Sequence, residues 1–273
     1  MDQAPTHRCE LLGSPWQGVH GTSIDSARHY GRHWHATYGF GLLEQGAQRS
    51  ASGRGTVEAC AGDLITTNPG EVHDGRPLGG PTRRWHMVYI EPSVMASISG
   101  RADVALTRPV FQDAQLARAV RRLFACLLDW NADPRTDALA CEERLVRACA
   151  LLLERHATRL PTDESGVDVA QVRERLAGEW LAPPSLAALA AMVGASRYQL
   201  LRRFEKAYGV PPHAWLLALR AERARGLIGT GAGLAEAAAA CGFADQSHMT
   251  RTFVRHFGFT PGAWRRTQMR RLQ

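Results

Sequence analysis

The last hundred residues contain one unit twice. LAALAAMVGASRYQLLRRFEKAYGVPPHAW begins at Leu186, and LAEAAAACGFADQSHMTRTFVRHFGFTPGAW begins at Leu234. Leu186 pairs with Leu234 and Gly194 with Gly242 at an offset of 48. Phe204 then pairs with Phe253, Gly209 with Gly258, Pro212 with Pro261 and Trp215 with Trp264 at an offset of 49. A duplicated supersecondary unit constrains the fold because both copies must bury the same face. Each copy reads as a short Ala/Leu helix, a turn at glycine and a second helix. Gly194 and Gly242 stand where the first helix must end, and glycine tolerates the left-handed conformation such an end needs. Ser196 and Asp245 are placed to N-cap the second helices. This is the helix-turn-helix layout, spanning about residues 185–208 and 234–257.

Charge follows the repeat. The chain of 273 residues carries a net +7, with 33 Lys and Arg against 26 Asp and Glu. Residues 170–273 hold 15 of those cations against 6 acids, while residues 1–169 hold 18 against 20. A neutral front part joined to a basic rear part suits a protein whose rear part meets nucleic acid. With 45% apolar and 22% charged residues, the chain is globular rather than disordered or fibrous. No uncharged run reaches the ~20 apolar residues of a membrane span. The N-terminus shows no signal-peptide pattern, so a cytoplasmic location without membrane contact is expected. Six scattered cysteines without a C-x-x-C predict no disulfide framework and no zinc ribbon.

The second helices have distinct faces. In the first copy Leu200, Phe204 and Ala207 form an apolar stripe, and Tyr198, Leu201, Arg202 and Glu205 lie on another. In the second copy Met249, Phe253 and Phe257 form the apolar stripe. Ser247, Thr250, Arg251 and Val254 lie opposite, with Gln246 and His248 near the start. Gln and Arg can bond base edges bidentately, and Ser, Thr and His add adaptable contacts. Arg197, Arg203, Arg255, Arg265 and Arg266 suit phosphate. Between the copies, residues 211–228 open on two prolines suited to a helix start. Eighteen helical residues span roughly 27 Å. Such a rod can hold two reading helices about one DNA turn, roughly 34 Å, apart.

Residues 169–267 resemble the DNA-binding domain of the AraC/XylS family of bacterial transcription regulators. The resemblance rests on GFADQSHMTRTFVRHFGFTPGAWR at 242–265 and on LALRAERARGLI at 217–228. It implies two helix-turn-helix units reading adjacent major-groove segments upstream of a promoter. The candidate DNA-binding residues on these helix faces are Arg197, Tyr198, Leu201, Arg202, Gln246, Ser247, His248, Thr250, Arg251 and Arg255. Leu201 is apolar where family members often carry a polar residue, so the first unit would read thymine methyls or read loosely.

The front part reads as short strands between turns, including residues 38–43, 56–59, 63–67 and 85–90. Two helical patterns follow at 113–130 and 137–156, then a polar stretch at 158–168 that reads as a linker. Gly31–His35 with Glu44, and Gly62–Asp74, resemble the two motifs of the cupin barrel, which AraC-type regulators commonly carry as a sensor. In metal-bearing cupins an H-x-H pair, a glutamate and a later histidine hold one ion. Here Glu44 lies nine residues after His35, where about four are expected. Strand alternation would put His33 and His35 on one face, where with His73 they could ligate a metal or line a pocket. The pocket reading is preferred, with no metal and no cofactor. Its wall residues are His33, His35, Tyr38, Glu44, Glu71, His73, Trp85 and His86. The two helical stripes suit either a homodimer seam or an intramolecular core.

The expected architecture is therefore α+β. A cupin-like antiparallel β-barrel with flanking helices occupies residues 1–160. An all-α domain of two helix-turn-helix units joined by a linker helix occupies 169–273. The expected function is a ligand-responsive transcription activator and not an enzyme. Its expected partners are double-stranded DNA, a small-molecule effector, RNA polymerase and a second copy of itself. A metal-dependent cupin enzyme fused to a DNA-localising domain is the alternative.

Overall fold

A computed structural model describes residues 7–52, 55–132, 138–159, 167–195 and 197–269. The chain divides into two compact units, one made of residues 1–31, 35–160 and 266–273, the other of 32–34 and 161–265. The first unit is strand-rich. Its strands are β1 (His7–Leu12), β2 (Val19–Ser26), β3 (Tyr30–His33), β4 (Tyr38–Gln45), β5 (Ala47–Ser52), β6 (Gly55–Cys60), β7 (Leu64–Thr67), β8 (His73–Pro77), β9 (Arg83–Ile90), β10 (Val104–Leu106), β11 (Val110–Phe111) and β12 (Ala157–Arg159). Its helices are α1 (Pro92–Ser99), α2 (Ala114–Ala132) and α3 (Ala138–His156). The second unit is helical, with α4 (Val167–Gly178), α5 (Leu186–Met192), α6 (Arg197–Tyr208), α7 (Pro212–Gly229), α8 (Leu234–Ala240), α9 (Gln246–Phe257) and the start of α10 (Pro261–Met269).

The strands form a six-stranded sheet ordered β1-β2-β9-β4-β7-β11, a four-stranded sheet ordered β3-β8-β5-β6, and a β10-β12 ribbon. The fold is thus the expected α+β with antiparallel strands, except that the barrel stays open as separate sheets. β12 also takes up the first two residues of the stretch read as linker. Side chains alternate across the six-stranded sheet. Val19, Tyr38, Phe40, Leu42, Leu64, Val88 and Ile90 share one buried cluster with Leu116, Val120, Leu123 and Phe124 of α2 and Leu145, Cys149 and Leu152 of α3. Ile24, Leu43, Ile65, Trp85 and Met87 face the other way and pack with Tyr30 and Ala59 of the four-stranded sheet. The unit has three layers: a small sheet, a large sheet and helices.

The cysteine spacing points to no disulfide framework, and one bridge is present among the described residues. Cys126 of α2 and Cys141 of α3 form a disulfide, with their Cα atoms 5.9 Å apart. Antiparallel helices bring residues fifteen apart in sequence face to face, which a search for short Cys spacings does not detect.

Candidate nucleic-acid interface and effector site

In the helical unit both copies of the repeat fold alike. Ser185 Oγ accepts from the Ala188 N–H at 3.1 Å and starts α5. The Gly233 N–H donates to the Glu236 carboxylate at 3.2 Å at the start of α8. Gly194 and Gly242 take φ of 61° and 68°, the left-handed turn that releases the chain into α6 and α9. Asp245 Oδ1 accepts from the His248 N–H at 2.6 Å, so Asp245 is the N-cap of α9 as expected. Ser196, expected to cap α6, lies outside the described residues.

The buried faces lock these helices down. Leu200 and Phe204 of α6 pack with Val172 and Leu176 of α4 and Leu189 of α5. Ala207 is exposed rather than part of that stripe. Met249 and Phe253 of α9 are fully buried, and Phe253 meets the rings of Phe257 at 4.5 Å and Phe259 at 5.8 Å. What remains outside is polar. Gln246, Ser247, Arg251 and Arg255 are exposed, and Thr250 and His248 are half-buried. The His248 ring is held edge-on by Phe243 at 5.3 Å. On α6, Arg202 is exposed and Leu201 half-buried. The side chains of Arg197 and Tyr198 lie outside what is described.

The helix between the copies, α7, is anchored by its own arginines. Arg220 donates from Nε and Nη2 to the Trp180 carbonyl at 2.9 and 2.7 Å. The Arg223 guanidinium lies 4.6 Å over the Trp180 ring. Arg225 is buried, donates to Glu222 at 2.9 Å and stacks over Trp264, whose indole N–H donates back to the Arg225 carbonyl at 2.9 Å. These cations hold the scaffold, a role that spacing alone does not separate from phosphate contact.

In the first unit a polar group gathers at one end of the inner sheet face. His20 stacks on Tyr89 at 5.0 Å, Tyr89 meets the His35 ring edge-on at 5.7 Å, and His35 lies 5.3 Å from His73. Thr22 is fully buried on the same face of β2. Thr67 sits opposite Gly39 in the β4–β7 register, and its buried hydroxyl has no hydrogen-bond partner among the described residues. Glycine lets the strands and side chains pack closely here. A Cβ at Gly39 would come within 2.6 Å of Thr67 Oγ1 and 3.3 Å of the Tyr89 ring. Beyond this polar end the face turns apolar through Met87, Ile65, Trp85 and Ile24.

The loop before β8 positions the imidazoles. Glu71 accepts from the Asn68 N–H and Nδ2 at 3.1 and 2.9 Å, which closes the turn, and Asn68 bridges to the Leu106 backbone. The Gly70 N–H donates to the His35 carbonyl at 2.8 Å. His73 Nδ1 lies 2.9 Å from the Glu71 carbonyl. A carbonyl only accepts, so Nδ1 carries the proton and Nε2 is the acceptor nitrogen of the neutral ring. Burial lowers the His73 pKa, which keeps the ring neutral near pH 7.

Of the expected wall residues, His35, His73 and Trp85 lie on this inner side. His33 ends β3, beside β8 in the small sheet, and His35 falls after the strand rather than on it. Glu71 closes the turn beneath. Three others are placed elsewhere. Tyr38 faces the helices and donates its hydroxyl to the Val104 carbonyl at 2.7 Å. Glu44 pairs with Arg121 of α2 at 3.1 Å. His86 stacks on Phe124 of α2 at 4.2 Å. Alternation explains this: Tyr38 and His86 have the phase of Phe40 and Val88, which point to the helices. The same phase rule picks out Tyr89, Thr67, Thr22 and His20, which motif reading passed over.

Comparison with known proteins agrees with both halves. The family described as "AraC-like ligand binding domain" matches residues 20–148, and "Helix-turn-helix domain" (HTH_18) matches residues 189–267. The uncharacterized HTH-type transcriptional regulator YbfI of Bacillus subtilis (strain 168) is 27% identical over 224 residues, covering 80% of each chain. The structure of ToxT from Vibrio cholerae O395 superposes with a TM-score of 0.52 at 11% identity, covering 96% of this chain and 97% of that one. A ToxT structure from Vibrio cholerae strain SCE256 with a bound unsaturated fatty acid gives 0.51 at 10% identity, covering 95% and 94%.

Proposed function

The chain belongs to the AraC family of transcription regulators, and from that premise we propose that it is a ligand-responsive activator reading adjacent major-groove segments with α6 and α9. The observation that carries this is the outer face of α9. Gln246, Ser247, Arg251 and Arg255 are exposed while Met249 and Phe253 are buried beneath them. Gln246, Ser247, His248, Thr250 and Arg251 are assigned to base edges and Arg255 to phosphate. Arg197, Tyr198, Leu201 and Arg202 form the corresponding set on α6, in the first helix-turn-helix copy. Residues 1–160 act as the sensor domain and 169–273 as the DNA-binding domain.

The effector site is assigned to the inner sheet face. His35, His73, Tyr89, Thr67, Thr22 and His20 form its polar end, and Trp85 lies in its apolar depth. Such a site suits a small molecule with a hydrogen-bonding head and an apolar body. Among the described residues no helix is long and apolar enough to cross a membrane, and the protein is assigned to the cytoplasm, acting by binding rather than catalysis. RNA polymerase and a second copy of the chain complete the proposed partners.

Selection of DNA fragments from a random pool tests the reading. Two half-sites about 10 base pairs apart, centre to centre, are expected. Arg251→Ala should weaken the selected site by ~1–3 kcal/mol and relax one base preference. An equal loss on random DNA would demote Arg251 to a phosphate contact. For the effector, a metabolite screen by thermal shift should find a compound adding roughly 2.7 kcal/mol at 100 times its Kd.

A further inference from the structure

We propose that Cys126 and Cys141 are a reversible dithiol–disulfide pair, a modification site at which low-molecular-weight disulfides act on the α2–α3 hairpin. The backbone suits the bond: the Cα separation of 5.9 Å lies inside the range disulfides need. It also suits the thiols. Cys141 Sγ lies 3.8 Å from the Cys126 carbonyl, so a reduced Cys141 has an acceptor within reach of its S–H. Both sulfurs are buried in the helix layer, at 1% and 0% exposure. The backbone spacing suits the bond, and an acceptor lies near one thiol when the pair is reduced.

The other four cysteines form no disulfide among the described residues. Cys149 is buried with its thiol pushed up to about 12, and desolvation does the same to Cys9. Thiols held that far above neutral pH carry little thiolate, the attacking form. Cys241 is buried in the helical unit, and Cys60 is exposed on β6. The pair is set apart from them by having a partner in place.

The exchange runs in two steps. One cysteine thiolate attacks a sulfur of R–S–S–R and expels RS⁻. The second thiolate then attacks the protein sulfur of the mixed disulfide and expels the other RS⁻. The two protons lost by the cysteines end on the released thiols. The net change is two Cys–SH plus RSSR giving one Cys–S–S–Cys plus two RSH, so the protein is oxidised and the small disulfide reduced. Both sulfurs are covered, so the first attack waits on local opening of the helix ends and is slow. A bond there joins the two helices that pack on the large sheet, which gives the sensor unit a redox input separate from any effector.

The test uses the full chain equilibrated with reduced and oxidised glutathione at varied ratios, then quenched, denatured and alkylated. Intact mass should switch between six and four alkylated cysteines, reversibly, with peptide mapping placing the bond at Cys126–Cys141. The melting temperature of the oxidised wild type should exceed that of the reduced form by several degrees, and the difference should vanish in Cys126→Ala/Cys141→Ala. Six alkylated cysteines at every ratio, a bond mapped to another pair, or no melting difference on closure would each overturn the proposal. None of these readouts involves DNA, so failure here is distinct from failure of the regulatory reading.

Discussion

Asp113 ties together two helix ends that are distant in sequence. Its carboxylate accepts from the Gln115 and Leu116 N–H groups at 2.9 and 3.0 Å, which caps α2. Its other oxygen pairs with His156 Nε2 at 3.0 Å and Arg155 at 3.3 Å at the end of α3. The backbone donors, then His156, hold this carboxyl far below the usual carboxylate range. A depressed acid contributes stability above its unfolded pKa, about 4, and that contribution fades as pH falls below it. Asp113→Ala is expected to cost about 1–2 kcal/mol at pH 7, the value of a lost cap. Urea titrations should show the gap from wild type narrowing below pH 4; a gap constant to pH 2 would refute the assignment. The sequence marks a helix start near Asp113 but carries no sign of its partner 43 residues on. Arg83 is a harder case. It is 1% exposed, donates to Gln48 at 3.0 Å and the Arg28 carbonyl at 3.1 Å, and lies over the Trp85 ring at 4.6 Å. Among the described residues no carboxylate forms an ion pair with it. An arginine at a strand start reads as a solvent cation, so its burial was not legible. Arg83→Ala should cost about 2 kcal/mol or more, since hydrogen bonds from charged groups are each worth roughly 1.5–3 kcal/mol. A change below 0.5 kcal/mol in chemical denaturation would show that its bonds are replaced by water.

At the scale of elements, legibility depends on whether a pattern has one solution. The tandem helices were readable because two copies cross-check each other: α5 and α8 begin at the aligned leucines, and α6 and α9 are both 12 residues long. The sheet was readable as strands but not as faces. Motif resemblance grouped Tyr38, Glu44 and His86 with His35, although alternation within β4 and β9 sends Tyr38 and His86 to the helices. The bulge between Leu43 and Gln45 further blurs the phase around Glu44. The two turn glycines separate in a similar way. Gly194 has open space where a side chain would go, whereas a Cβ at Gly242 would meet the Arg220 guanidinium at 3.2 Å. Gly194→Ala should therefore cost only the left-handed strain, about 1–2 kcal/mol. Gly242→Ala should cost more, because it also presses on the group bonded to the Trp180 carbonyl. Equal losses for the two variants in urea denaturation would mean that Arg220 gives way freely.

At the scale of the whole chain, a regulator needs its two binding events to share one free-energy balance. The proposed effector and DNA sites are assigned to separately built units, so on that reading each ligand acts on the other only by shifting a common conformational equilibrium. Linkage then fixes the symmetry: an effector that tightens DNA binding by some factor must itself be bound tighter by that factor when cognate DNA is present. A tenfold effect corresponds to about 1.4 kcal/mol in both directions. Calorimetric titration of effector into the free protein and into the protein–DNA complex should return the ratio found by titrating DNA with and without effector. Thr67→Val, which removes a buried hydroxyl that has no partner among the described residues, should change effector affinity while leaving DNA affinity in the effector's absence unchanged. Arg255→Ala should do the reverse and lower the slope of log affinity against log salt by about 1, as expected for one lost phosphate contact. Should Thr67→Val weaken DNA binding with no effector present, the inner sheet face would be part of the structural support for the DNA-binding state, and its assignment as an effector site would fall.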